Sequence, residues 1–190
     1  AVHELCEIVD LDELRRHPEA GPWMELPGRE EAIRRVLRRH GLPEGLWQRF
    51  AGMVHAAFQT PVASGSLRLP PLCQAAAMVR EAEFRIPWDE RLRTRLAQAI
   101  PHVPGNSGSL MGYFDALAEL DGRLWLVDWK TDLLPDYAPP SVHAHVCAHY
   151  ALQAMVYEEA VARLKPQIPY GGFMYVFVRG LSPGQGMVVL

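Results

Sequence analysis

Asp115, Asp128 and Lys130 are the residues of this chain whose types and spacing could do chemistry. Asp128 and Lys130 end an apolar run, Leu124-Trp125-Leu126-Val127. In a β-strand, residues two apart project to one face, so this carboxylate and this ammonium point together. Asp121-Gly122 is a two-residue turn signal between two strand-like runs. Asp115 and Asp128 lie about six residues to either side of it, so a tight hairpin sets them nearly opposite. Two carboxylates a few ångströms apart repel unless a cation sits between them. Oxygen ligands of this kind suit Mg²⁺ or Mn²⁺. A lysine beside them can hold a phosphate or an attacking water and stabilise charge developing in a transition state. These are the parts of a phosphodiester hydrolase. A D-x-K on a strand is common as solvated surface alternation. Here the strand before it is continuously apolar, as in a buried strand, and the end of a buried strand is a poor place for idle charge.

The elements that must position these residues follow from periodicity. Residues 1–14 read as one helix, with Val2, Leu5, Cys6, Val9 and Leu14 at helical spacing, closed by Pro18, Gly21 and Pro22. Residues 29–39 form a second helix with Ile33, Val36 and Leu37 inward, and residues 46–58 a third. Residues 61–71, rich in Gly, Ser and Pro, read as a loop. From there the pattern changes. Residues 78–88 alternate as a strand, 89–100 are helical or irregular, and 101–109 form a polar loop. Residues 110–120 and 123–129 are the hairpin strands, and 135–140 a loop. Residues 142–164 read as the longest helix, with Leu152, Met155, Val156 and Ala160 on one face. Residues 171–179 form a final apolar strand. The order implies an α/β fold: a mixed central sheet flanked by helices, after an α-helical N-terminal part. One domain is expected, with residues 1–75 mostly helical and 76–190 the α/β core.

Composition narrows the function. Hydrophobic residues make up 49% of 190, enough for a proper core. A net charge of -3 argues against a purely electrostatic DNA binder, but not against a nuclease whose carboxylates offset its arginines. The helix face bearing Arg34, Arg35, Arg38 and Arg39 reads more readily as a solvated face than as a DNA or subunit contact. Cys6, Cys73 and Cys147 are too few and too dispersed for a disulfide framework or for a zinc or iron–sulfur site built on thiolates. Reduced thiols, no membrane-length apolar run and no secretory signal fit a cytoplasmic protein. The chain starts with Ala inside an apparent helix, so a piece of a longer protein is expected.

A resemblance joins these readings. Gly112-Tyr113-Phe114-Asp115 and Val127-Asp128-Trp129-Lys130-Thr131-Asp132 resemble the G-x-x-D and (D/E)-x-K motifs of the PD-(D/E)xK nucleases. More narrowly, the chain resembles the RecB-type nuclease domain of exodeoxyribonuclease V. Tyr150-Ala151-Leu152-Gln153-Ala154-Met155-Val156-Tyr157 resembles its Y-x-x-Q-x-x-x-Y helix. Residues 80–84 resemble its first core strand and 170–180 its last, and Val2-His3-Glu4-Leu5 resembles the helix whose histidine reaches the metal. The likeness is strong over 110–180 and thin over 15–73. It implies a restriction-endonuclease-like fold. It implies Asp115, Asp128 and Lys130 as catalytic residues, with His3 and the Trp129 carbonyl joining the two aspartates on the metal. His55, also on a helix, competes with His3. Gln153, Tyr157 and Tyr150 would line the DNA path, His149 could extend it, and Glu81 would be an acid of the first strand. The cofactor implied is Mg²⁺, with Mn²⁺ as an alternative and Ca²⁺ as an inhibitory occupant. The implied partners are DNA as single strands or ends, a helicase motor upstream in the same chain, and RecC- or RecD-like subunits. No membrane is involved. The rival reading is a non-catalytic DNA-binding or subunit-docking module that keeps the fold.

Overall fold

The computed structural model describes residues 1–97, 99, 105 and 107–190. The polar loop expected over 101–109 lies largely outside the described residues. The chain opens with α1 (Val2–Ile8) and α2 (Leu11–Arg16), then α3 (Ala20–Met24), α4 (Arg29–Arg39) and α5 (Trp47–Gln59). A small hairpin, β1 (Val62–Ser64) and β2 (Leu67–Leu69), leads to β3 (Ala77–Pro87), α6 (Glu90–Leu96), β4 (Ser109–Leu120) and β5 (Arg123–Lys130). The chain continues through α7 (Pro139–His149), α8 (Ala151–Leu164), β6 (Tyr170–Phe177) and β7 (Met187–Val189). The main sheet has the order β3-β4-β5-β6-β7. Among the described residues, only the β5–β6 pair of this sheet is parallel. This is the mixed sheet flanked by helices, with an α-helical N-terminal part, and it is consistent with a restriction-endonuclease-like fold. Among the described residues no helix is long and apolar enough to cross a membrane.

Each sheet face has its own core. Trp125, Val127 and Trp129 of β5 pack with Trp23, Leu37, Phe58 and their neighbours from the N-terminal helices. Leu126, Phe173, Tyr175 and Phe177 pack on the other face with Leu92, Val142, Val146 and Val161 of α6, α7 and α8. Burial on both faces explains the unbroken apolar run before Asp128. It also leaves Asp128 and Lys130, in phase with Leu126, on the α7–α8 side.

One irregularity organises the sheet. On β3, Met78 packs in the first core, but Phe84 and Ile86 belong to the second. On β4, Phe114 belongs to the second and Ala116 to the first. Residues two apart share a face in a regular strand, so both strands change face at one level. That level is Glu81, with φ 49, across from Asp115 between the pairs Arg80↔Ala116 and Ala82↔Phe114. Both strands turn together, so the pairing on either side keeps one register.

Several elements differ from the sequence reading, among them α3, a helix that contains the Gly21 and Pro22 expected to close the first helix. The helix expected over 1–14 is two helices, because Val9 is extended and the Asp10 side chain accepts from Asp12 N at 2.7 Å and Glu13 N at 3.3 Å, starting α2 anew. The helix expected over 142–164 is also two, broken at Tyr150 (φ -121, ψ 5). The buried positions of α8 are Ala154, Glu159, Ala160 and Val161, while Leu152 is exposed. The loop over 61–71 contains β1 and β2, turned at Gly65 with φ 56. The strand over 171–179 is followed by β7, whose three residues carry too little pattern to read.

Gly171 gives a test of the parallel pairing. A Cβ there would stand 2.5 Å from the Trp125 ring. Gly171→Ala should destabilise the protein by about 1–3 kcal/mol through overpacking, read as a lower urea midpoint. An unchanged midpoint would show that Trp125 moves freely.

Candidate active site

The β4–β5 ladder ends at Ala116↔Val127, although β5 continues to Lys130. One step further, where β4 changes face, the Asp115 side chain replaces the ladder: Trp129 N donates to its Oδ2 at 2.9 Å. N–H and C=O of one strand residue point to the same side. The Lys130 carbonyl accepts from Val178 N, toward β6, so the Trp129 carbonyl turns back toward β4 and Asp115. Asp115 thus stands at the parting of two strands rather than on a flat face. Both helical layers reach this point.

Asp128 is 2% exposed. Its Oδ1 accepts from Gln153 Nε2 at 2.7 Å, and its Oδ2 lies 2.5 Å from Lys130 Nζ. Oδ2 is nonetheless without an aligned hydrogen bond. Lys130 Nζ also donates to Gln153 Oε1 at 3.0 Å, so one amide bridges the carboxylate and the ammonium. Burial, and then the charge of Asp115, push the Asp128 carboxyl up to about 6 against the pull of Lys130. His3 reaches over from α1, with Nδ1 3.5 Å from Asp115 Oδ2. Hydrogen bonding to Asp115 raises its pKa against burial, which lowers it; the charges of Asp115 and Asp128 add to the rise. His55 lies elsewhere, its ring against Trp23 and its Nε2 3.1 Å from the His17 carbonyl. Burial depresses its pKa.

The remaining expected residues surround this centre. Glu81 sits opposite Asp115, and burial followed by Glu7 and Asp115 raises its pKa. Tyr157 donates from its hydroxyl to the Tyr113 carbonyl at 2.8 Å, and its ring packs on Phe84, Phe114 and Phe173. It forms the rim beside Gln153, in a shallow groove with Met111 and Leu152. Tyr150 carries the Lys130 ammonium over its ring, 3.9 Å from the centroid. On the Arg34–Arg39 face, Arg34 pairs with Glu30, Arg38 with Glu31 and Glu44, and Arg39 with Glu4, while Arg35 is exposed.

His145 and Glu7 are neighbours of the site that sequence reasoning missed, and Asp132, present in the quoted motif, was given no role there. Two signals were available: Glu7 lies one helical turn beyond His3, and Asp132 extends D-x-K to D-x-K-x-D.

In kind, the donors fit a small oxygen-seeking cation. There are two carboxylates, one buried with an oxygen lacking a hydrogen bond, a carbonyl on the same side and an imidazole. Among the described residues, however, no three His, Cys, Asp or Glu side chains are gathered around a common point. Lys130 is the cation that meets Asp128 here.

No protein-family model matches the chain. Over 157 residues it is 30% identical to the RecBCD enzyme subunit RecB of Mycolicibacterium smegmatis, and over 163 residues 29% identical to that of Escherichia coli. Each match takes in 70% of this chain. The chain spans about 14% of the length of these curated relatives.

The raised Asp128 pKa makes a stability prediction. The folded state holds this proton up to about pH 6, while an unfolded aspartate releases it near 4. The folded state therefore binds more protons within this window, and the contribution of Asp128 to stability falls as pH rises through it. Asp128→Asn removes that dependence. In EDTA, the Tm of Asp128→Asn relative to wild type should climb between about pH 4 and about pH 8. A constant difference would mean that Asp128 ionises in the fold as it does in water.

Proposed function

We propose that this chain is a metal-dependent DNA nuclease domain of the PD-(D/E)xK type, acting within a RecBCD-like helicase–nuclease in double-strand-break repair and recombination. The observation that carries this reading is the Asp128 carboxylate, its pKa raised by burial and then by Asp115, held against Lys130 where β4 and β5 part. The similarity to RecB supports the same class of activity. Asp115 and Asp128 would hold Mg²⁺, or Mn²⁺ in its place, with His3 and the Trp129 carbonyl as further donors. Ca²⁺ would occupy the site without supporting the reaction. When bound, the ion supplies Lewis acidity, activating water and neutralising phosphate charge.

The residues divide the remaining work. Asp128 must be ionised to hold the ion, so metal affinity should fall as pH drops below about 6. Lys130, held between Asp128 and Gln153, presents its ammonium to charge growing on the phosphoryl oxygens. Gln153 fixes both groups at once. Tyr157 and Tyr150 stand along the path proposed for DNA, and Glu81 is the outlying acid. DNA would arrive as single strands or ends from a motor upstream in the same longer chain, with RecC- or RecD-like subunits alongside.

A second reading, a DNA-binding or docking module that keeps the fold without the reaction, draws on the absence of a gathered three-side-chain metal group among the described residues. Digestion separates the two. Linear single-stranded DNA should be cut with Mg²⁺ or Mn²⁺ and not in EDTA, faster than intact plasmid. Lys130→Ala should slow cleavage by roughly 10²–10³-fold while sparing DNA binding, because its work is done in the transition state. Cleavage by Lys130→Ala near the wild-type rate would remove Lys130 from the mechanism. No cleavage by the wild type with either metal would favour the docking module. His3→Ala should weaken metal binding and change the Mg²⁺/Mn²⁺ preference. An unchanged preference would remove His3 from the ligand set.

A further inference from the structure

We infer that Asp132, acting through Tyr150, is a positioning residue for the Lys130 ammonium. The inference rests on the nuclease reading only for its kinetic consequence; its geometric content stands apart. A lysine ammonium rides on a flexible four-carbon stem, and catalysis needs it in one place. Asp128 and Gln153 hold it by polar contacts. The third wall is aromatic: the Tyr150 ring lies 3.9 Å from Nζ, with Tyr175 further off at 5.7 Å. A cation over a ring face is attracted by the ring quadrupole, and more strongly where water is excluded. Lys130 is only 12% exposed at its side chain.

Tyr150 itself needs a support. It sits at the break between α7 and α8, so continuous helix geometry does not orient it. Its hydroxyl donates to Asp132 Oδ1 at 2.8 Å, and its ring stacks on Tyr175. The same Asp132 oxygen lies 3.2 Å from His145 Nε2. Partial burial of Asp132 opposes ionisation, but the bonds from Tyr150 and His145 prevail and hold its carboxyl below the usual carboxylate range. The backbone around Asp132 is pinned as well. Arg179 Nε donates to the Thr131 carbonyl at 2.7 Å, and the Tyr137 hydroxyl to the Asp132 carbonyl at 2.9 Å. Asp132 is therefore a fixed anchor two residues past Lys130. It holds a ring that holds the ammonium. The Tyr150 hydroxyl and the ring face toward Lys130 are already engaged, which leaves the residue better placed to support Lys130 than to grip a base.

The sequence contains two lysines, Lys130 and Lys165. Lysine labelled with ¹³C at Cε therefore gives two side-chain signals, and the exposed Lys165 is the internal reference. In the wild type the Lys130 signal should be displaced upfield by the Tyr150 ring current. Tyr150→Leu should return it toward the Lys165 position. Tyr150→Phe, which keeps the ring, should preserve most of the displacement. Asp132→Leu should move the signal as Tyr150→Leu does, and Asp132→Asn, which keeps an acceptor oxygen, should restore it. In turnover, Tyr150→Leu and Asp132→Leu should each lower kcat roughly three- to thirtyfold, and Asp132→Leu, outside the proposed DNA path, should do so with KM unchanged. Asp132→Leu should cost much less in a Tyr150→Phe background, where no hydroxyl remains to anchor. A Lys130 signal indifferent to Tyr150→Leu would overturn the proposal. So would equal losses from Asp132→Leu with and without the Tyr150 hydroxyl. Failure of the wild type to cleave DNA would defeat the nuclease reading and leave the spectra to decide the positioning role.

Discussion

The ionised carboxylate of Asp128, held almost out of water, is the interaction on which the site depends. A buried charge is tolerated only when it is paired and hydrogen-bonded. Lys130 and Gln153 meet that demand from one side, while Asp115 works against it from the other. Breaking such a pair is costly, yet forming it gains little net stability, because desolvation offsets most of the Coulombic attraction. The arrangement is a poor device for holding a fold together. It suits a centre that must manage charge brought by a ligand. A doubly buried strand, β5, keeps water away from Asp128, and α8 brings the single amide that satisfies both members of the pair.

The change of face at Glu81 and Asp115 makes this centre reachable from both layers. Had β4 alternated regularly, Phe114 would share the face of Ala116 and enter the N-terminal core. Instead Phe114 packs under Tyr157, and Asp115 occupies the parting of the strands. His3 arrives there from α1, whose Leu5 and Cys6 are buried in the first core. The N-terminal helices thus join the site as well as covering one sheet face.

Local patterns carried far in the sequence, and long-range ones did not. The hairpin was legible because Asp121-Gly122 sets its register, and Asp121 and Gly122 both adopt the left-handed conformation such a turn requires. Ile33, Val36 and Leu37 are buried as their spacing implied. The break at Tyr150 was not legible, since no glycine or proline marks it; in the fold Tyr150 is engaged there by Asp132 and Tyr175. The joint face change was invisible for a similar reason: a left-handed Glu81 is unusual for its residue type and makes sense only against β4. Asp128 and Lys130 could be paired from their spacing alone. The bridge through Gln153 could not, because it needs the packing of α8 on β5.

The central claim is that Asp115 and Asp128 together hold one divalent cation. Calorimetric titration of Mn²⁺ into the wild type, Asp115→Asn and Asp128→Asn tests it most directly. The account predicts a single site in the wild type, lost or severely weakened in both variants while each keeps its fold by circular dichroism. Wild-type binding that survives either substitution unchanged would contradict it.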